Sequence, residues 1–244
     1  MFIIFGASSG LGKELSYIAA EKNHTCYLIS RDERDLHAIS NDLNIKFDIS
    51  AHYSSIDMST EDPEFTEIID GIRNAMLKTD DLNIFFTVGL ISDNDGVDQI
   101  SYNYKNIFNA NLGSIALFVE KIIESDLRKN IKSINFFGSI ASARGRSKNI
   151  MYSASKKALF SYYESLRHFF TYIKINFFMI GYMKTRMVDG KHLLLPAAEP
   201  KRLASYIVKN IDKDIGLVYF PFFWFIIVKL VRMIPWRIYR KINF

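Results

Sequence analysis

With one cysteine, Cys26, the chain of 244 residues has no partner for an internal disulfide, which fits a reducing compartment. Nothing in it is collagen-like, repeated or low in complexity, and no linker divides it. It opens on the apolar MFIIF, which runs straight into glycines, so no secretory leader is expected. Acidic residues are missing from 215–244. Lys229, Arg232, Arg237, Arg240 and Lys241 lie there and account for the whole formal net charge of +5. The basic excess therefore sits in a tail, and a broad nucleic-acid-binding face is excluded. The apolar run 217–228 is shorter than the ~20 residues a membrane span needs, is broken by Pro221 and is followed by Lys229. What remains is ordinary globular composition, 49% hydrophobic and 23% charged, at a length that α/β folds fill with one domain.

Short apolar runs alternate with longer stretches of helical period. Strands are expected at 2–5, 25–29, within 51–56, and at 83–87, 133–137, 174–179 and 217–220. Helices are expected at 13–22, 33–43, 64–78, 104–125 and 152–171. The stretch 40–56 is the least clear and allows an extra turn or a shifted strand. The runs are apolar on both faces, as buried parallel strands are. The fold class is thus α/β, a Rossmann-type doubly wound parallel sheet of about seven strands with helices on both faces. Residues 1–220 form the nucleotide-binding domain, and 221–244 a short apolar and basic helical appendage.

After the first strand comes Gly6-Ala7-Ser8-Ser9-Gly10-Leu11-Gly12, then a helical pattern. Such a turn aims the free N–H groups of a helix start at an anion, and its glycines permit a sharp bend, close ligand approach and tight helix packing. In this context the pattern points to a dinucleotide pyrophosphate; a Gly/Ser turn without a ligand is the plainer alternative. The second strand ends in Ser30-Arg31. An arginine there suits the 2′-phosphate of NADP, where NAD sites carry an acid. NADP(H) is therefore favoured over NAD(H), against the alternative of a plain surface arginine.

Residues 152–156 read YSASK. On a helix, Tyr152 and Lys156 share a face. A nearby cation favours phenolate and lowers a phenol's pKa, which would make a proton donor fit for neutral pH. Alone, the spacing fits a chance surface pair as well.

Taken together these segments resemble the short-chain dehydrogenase/reductase family, classical type, over almost the whole chain. GASSGLG resembles its cofactor loop and YSASK its Tyr-x-x-x-Lys motif. Asp57 matches the acid that holds adenine, Asn111 the active-site helix asparagine, and Ser139 the catalytic serine. Gly89 follows the fourth strand, and Gly181 and Thr185 match the turn beside the nicotinamide. The resemblance implies hydride transfer between NADP(H) and a carbonyl or secondary alcohol. Ser139, Tyr152, Lys156 and Asn111 would be the catalytic set; no metal is expected. Lys156 would also bond the nicotinamide ribose, and Asn111 would hold a water linking Lys156 to solvent. Three positions depart from the family's pattern. Phe5 replaces a threonine, Phe86-Thr87-Val88-Gly89 replaces Asn-Asn-Ala-Gly, and Ile180-Gly181 replaces Pro-Gly. The first two concern bracing of sheet and cofactor loop, the third the turn beside the nicotinamide.

The substrate-closing segment is expected at 184–200, with Leu193-Leu194-Leu195 as its apolar centre. Arg186, Lys191 and His192 there suit either a phosphate or plain solvation. After Pro235, Trp236, Tyr239 and Ile242 fall at three-residue steps among cations. A basic amphipathic helix with an aromatic edge suits an anionic membrane surface; packing on the sheet edge or in a subunit interface is the alternative. The tail is similar to that of bacterial reductases of lipid-linked keto-sugars. This likeness implies an NADPH-dependent reductase of surface-polysaccharide synthesis, cytoplasmic and at the inner face of the membrane. A 3-oxoacyl reductase is the second enzyme reading, and a catalytically silent cofactor-binding interaction protein the reading of another class. The family commonly forms dimers and tetramers, so a homo-oligomer is expected.

Overall fold

Side chains alternate across a strand, and here both faces of the alternation are apolar. In β1 (Phe2–Phe5), Phe2 and Ile4 join one buried cluster and Ile3 and Phe5 the other. The computed structural model describes residues 1–77, 81–92, 100–185 and 195–242. Strands β2 (Cys26–Ser30), β3 (Ala51–Ser55), β4 (Leu82–Phe86), β5 (Ile131–Ser139), β6 (Lys174–Ile180) and β7 (Leu217–Phe220) complete one parallel sheet. Its order is β3-β2-β1-β4-β5-β6-β7. The chain reverses direction across the sheet between β1 and β4, where the crevice at the strands' carboxyl ends takes ligands in such folds.

Helices α1 (Gly10–Glu21), α2 (Glu33–Phe47) and α7 (Pro200–Lys209) cover the Phe2/Ile4 face. Helices α3 (Thr66–Ala75), α5 (Ser114–Glu124) and α6 (Ile150–Phe169) cover the other. Helix α2 starts where the Asp32 carboxylate accepts the Asp35 N–H at 3.1 Å and ends with Asp48 in the left-handed region at φ 53. That resolves the stretch 40–56: the helix runs on to Phe47, and Asn44 bonds both backbone groups of Ala51 to start β3.

Several expectations need correction. Strands β3 and β7 are partly exposed, because each lies at a sheet edge. Inner strands carry buried polar residues, and these are paired: Ser133 donates to Asn83, Asn135 to the Ile84 carbonyl, and Asn176 to Asn135. The helix expected at 104–125 is two, α4 (Ile100–Phe108) and α5, joined by a π-turn at Asn109–Gly113. Helix α7 has no counterpart among the expected helices. In the tail, the long helix is α8 (Phe223–Met233), and α9 (Trp236–Tyr239) is a single turn. Pro235 separates them. No helix among the described residues is long and apolar enough to cross a membrane.

Candidate active site

The carboxyl ends of β1, β4, β5 and β6 open onto one cleft of about 1380 Å³. Every residue expected at the site except Gly12 and Asn111 lines it, and these two stand just behind its wall. Gly6 has φ +83. A Cβ on Gly12 would lie 2.3 Å from the Gly6 carbonyl oxygen and 2.6 Å from Thr87 Oγ1. Only glycine allows α1 to start so close to β1. That cradle, open to main-chain N–H groups, fits a dinucleotide pyrophosphate.

Two of the family departures are mutually fitted. Thr87 Oγ1 donates to the Phe5 carbonyl at 2.6 Å, so the hydroxyl ties β4 to the root of the glycine turn. Phe5 in turn stacks on Phe86 at 4.9 Å and meets Phe118 edge-on at 4.6 Å. Aromatic packing thus replaces a small polar side chain beneath the loop.

At the far end of the cofactor half, Ser8 and Ser30 share a hydrogen bond of 2.8 Å. Arg31 is 74% exposed and lies 3.6 Å from Asp57, free to swing toward a ligand phosphate. Burial pushes the Asp57 carboxyl up, but two bonds from Ser59 and the Arg31 charge outweigh it and leave its pKa below the ordinary range.

Ser139 ends β5, Tyr152 and Lys156 project from α6, and all three line the cleft, with the Ser139 hydroxyl near enough to the Tyr152 phenol to act on its proton. The 310 turn at Ile140–Ser142 fixes the serine: Ser139 Oγ accepts the Ala141 N–H at 3.1 Å, and Ser142 Oγ donates to the Ser139 carbonyl at 2.6 Å. The half-buried Ser139 and the buried Tyr152 thereby line the same cleft. The expected lowering of the Tyr152 pKa by Lys156 is not found in the protein itself. Burial raises it, against the opposing effects of the nearby Ser139 hydroxyl and the Arg146 charge. Lys156 Nζ is turned to the carbonyls of Phe137 and Val88 at 3.1 and 3.4 Å, and burial pulls its pKa down to about 8.

Asn111 sits in the π-turn with its side-chain amide fully engaged. Its Oδ1 accepts the Leu90 N–H at 2.9 Å, and its Nδ2 donates to the Leu90 carbonyl at 2.9 Å and to Ser155 Oγ at 3.0 Å. The side chain therefore clamps the loop after β4 onto α6, a bracing duty that the sequence did not announce. Gly89 lies in that clamped loop against Lys156. Gly181 follows β6, and a Cβ there would overlap the Trp224 indole. Thr185 faces Gly10. Arg186, Lys191, His192, Leu193 and Leu194 lie outside the described residues; Leu195 lines the cleft.

The wall opposite the cofactor half comes from the tail. Trp224, Ile227, Val228 and Val231 of α8, with Tyr239 of α9, line the cleft. The spacing 224/228/231 is one helix stripe, legible once α8 is recognised as a helix; the apolar run alone did not reveal it. Arg144 holds this wall: its guanidinium donates to the carbonyls of Val231 at 2.9 Å and Ile234 at 2.5 Å. Arg232 returns a bond to the Ala143 carbonyl at 3.2 Å. No sequence pattern marked Arg144. Tyr239 is turned inward onto Arg144, so it does not share an exposed aromatic edge with Trp236. Among the described residues, no group of His, Cys, Asp and Glu side chains can hold a metal ion.

A family model described as short chain dehydrogenase matches residues 1–193. A 3-oxoacyl-[acyl-carrier-protein] reductase FabG of Buchnera aphidicola subsp. Baizongia pistaciae is 24% identical over 224 residues, covering 88% of this chain and 84% of that protein. An 11-beta-hydroxysteroid dehydrogenase A of Arachis hypogaea is 29% identical over 198 residues; the match covers 78% of this chain and 54% of that protein, so the chain spans about half its length. Among solved structures, L-sorbose reductase from Gluconobacter frateurii, complexed with NADPH and L-sorbose, superposes with a TM-score of 0.74 at 16% identity. That likeness covers 89% of this chain and 93% of that one, and it concerns the fold.

Proposed function

The chain belongs to the short chain dehydrogenase family, dehydrogenase/reductases of carbonyl and alcohol groups, and on that premise we propose that it is an NADPH-dependent reductase of a carbonyl carried on a lipid. The observation that supports this most is the convergence of Ser139, Tyr152 and Lys156 in the same cleft as the glycine cradle and Arg31.

The cofactor, when bound, supplies the hydride. The cradle of Gly6, Ser8, Ser9, Gly10, Leu11 and Gly12 binds its pyrophosphate, Asp57 its adenine end, and Ser30 with Arg31 a 2′-phosphate. Gly89, Gly181 and Thr185 flank the nicotinamide half. Ser139 and Tyr152 both donate to the substrate carbonyl oxygen, where negative charge grows, and donors aimed there lower the barrier. Tyr152 gives up its Oη proton to that oxygen. Lys156 holds the nicotinamide ribose and stabilises the phenolate that remains.

For the substrate, the α8 wall offers apolar side chains, and Arg146 and Lys148 stand at the cleft lining. This combination suits an anionic head on an apolar carrier. The first candidate is a lipid-linked keto-sugar of bacterial envelope or surface-polysaccharide synthesis, made at the inner face of the membrane. A 3-oxoacyl thioester is the second, favoured by the named activity of the FabG relative. Dimer or tetramer formation belongs to this proposal, as does peripheral membrane contact through 221–244. The test is NADPH oxidation against matched keto-sugars and 3-oxoacyl thioesters, each with and without a lipid tail. A higher kcat/KM for the tailed substrates than for their untailed counterparts is expected. Binding of NADPH with no oxidation by any carbonyl would favour a silent binding protein instead.

A further inference from the structure

The tail presents two apolar faces, and only one of them lines the cleft. Trp224 and Val228 are buried, whereas Phe222, Ile226, Leu230 and Met233 are 70%, 53%, 59% and 78% exposed. Those four recur at the spacing of one helix stripe. Trp236 and Ile238 continue it, 62% and 57% exposed. Exposed hydrophobic side chains scattered singly need no explanation, but a continuous strip of this kind marks a contact surface. Lys229, Arg232, Arg237, Arg240 and Lys241 surround it, and 215–244 contains no acid. Lys229 leans over the Phe225 ring at 4.2 Å, as long cations do when covering apolar surface.

Charge decides what this strip can meet. A two-fold contact with a second copy would set like against like, cations facing cations with no carboxylate to relieve them. A span is excluded, since α8 has 11 residues. An anionic bilayer surface satisfies both features, with the apolar strip among the acyl chains and the cations at the headgroups.

We propose that α8 and α9 form a two-faced lip: the Phe222/Ile226/Leu230/Met233 strip rests on an anionic lipid surface while the opposite face of the same helix walls the reduction cleft. The cleft mouth is thus held at the membrane, where a lipid-borne carbonyl passes beneath Ser139 and Tyr152. The second half of this statement rests on the reductase reading above; the docking half stands without it. Arg144 and Arg232 lock the lip to the turn that carries Ser139, so the docked helix and the reacting hydroxyl form one rigid unit.

The test uses the full chain and flotation with vesicles of phosphatidylglycerol and phosphatidylcholine, against phosphatidylcholine alone. Two double variants lie outside the cleft: Ile226→Asp with Leu230→Asp, and Arg237→Glu with Arg240→Glu. Wild type should float with anionic vesicles and lose this at high salt. Each variant should partition at least about tenfold less, with unchanged melting temperature and unchanged reduction of a small water-soluble ketone. Equal partition of wild type and both variants overturns the proposal. So does a wild-type dimer that either variant dissociates while wild type ignores vesicles, because the strip is then a subunit interface. If no carbonyl is reduced, the vesicle result still reads out, so failure of docking and failure of the reductase assignment are separable.

Discussion

The Arg144 guanidinium lies 4.1 Å from the centre of the Tyr239 ring. A residue five positions after Ser139 is thereby fastened to the end of the chain, and the same group bonds two carbonyls at the end of α8. The C-terminal helices are consequently a wall of the cleft, anchored to the turn that orients the serine.

Arg144→Ala should therefore damage both stability and activity. Two charge-assisted bonds and a cation–ring contact disappear, a loss of roughly 2–4 kcal/mol and several degrees in melting temperature. The kcat should fall, and KM for a tailed substrate should rise more than KM for a small ketone. Arg144→Lys should recover only part, since an ammonium can meet the carbonyls but has no planar face to stack on the ring. Thermal melts and steady-state kinetics check this.

Arg31 bears on cofactor choice. It is mostly exposed and its contact with Asp57 is loose, so removing it should leave stability almost unchanged. Arg31→Ala should lower kcat/KM with NADPH by roughly 10- to 100-fold, the worth of a charge-assisted bond to phosphate. The value with NADH should move little. Equal losses with both nucleotides would assign Arg31 to general bracing.

Lys156 makes a prediction about stability and pH. Its folded pKa is lowered from 10.5 to about 8 by burial. Between about pH 8 and 10.5 the unfolded chain binds a proton at this site that the folded chain does not, so this contribution to stability rises with pH. Below pH 8 both states are protonated and the penalty of burying the charge is complete. Lys156→Met removes the effect. The stability of wild type relative to the variant should therefore improve across that window, by on the order of 3 kcal/mol, measured by urea unfolding of the cofactor-free protein at several pH values.

Much of this was legible in the sequence, and the misses have physical causes. Glycine turns and apolar strands are written locally, so β1, the turn after it and β7 fall where the pattern puts them. That Ser139, Tyr152 and Lys156 meet in one cleft could be expected because their spacing matches a known motif. The role of Asn111 was not visible, because its partners Leu90 and Ser155 lie 21 and 44 residues away. The same holds for Lys156, whose pKa is lowered by burial and whose ammonium is turned to the carbonyls of Val88 and Phe137, none of which a spacing reveals. Helix α7 is ten residues long, and its apolar face is only Leu203, Ala204, Ile207 and Val208, too brief a period to stand out. The apolar run 217–228 gave no sign of which side was covered, since both sides of α8 are apolar; only Arg144, reaching in from another element, decides it.

The most direct test concerns the phenol. Burial holds the Tyr152 pKa above its ordinary value, so the free enzyme keeps that proton at neutral pH and can donate it. Tyr152→Phe keeps the ring and removes the proton. Its kcat should fall by roughly 10²- to 10⁴-fold, while NADPH titrated by fluorescence binds about as tightly as to wild type. Undiminished turnover in that variant would contradict the assignment of Tyr152 as the acid and, with it, the catalytic reading of the cleft.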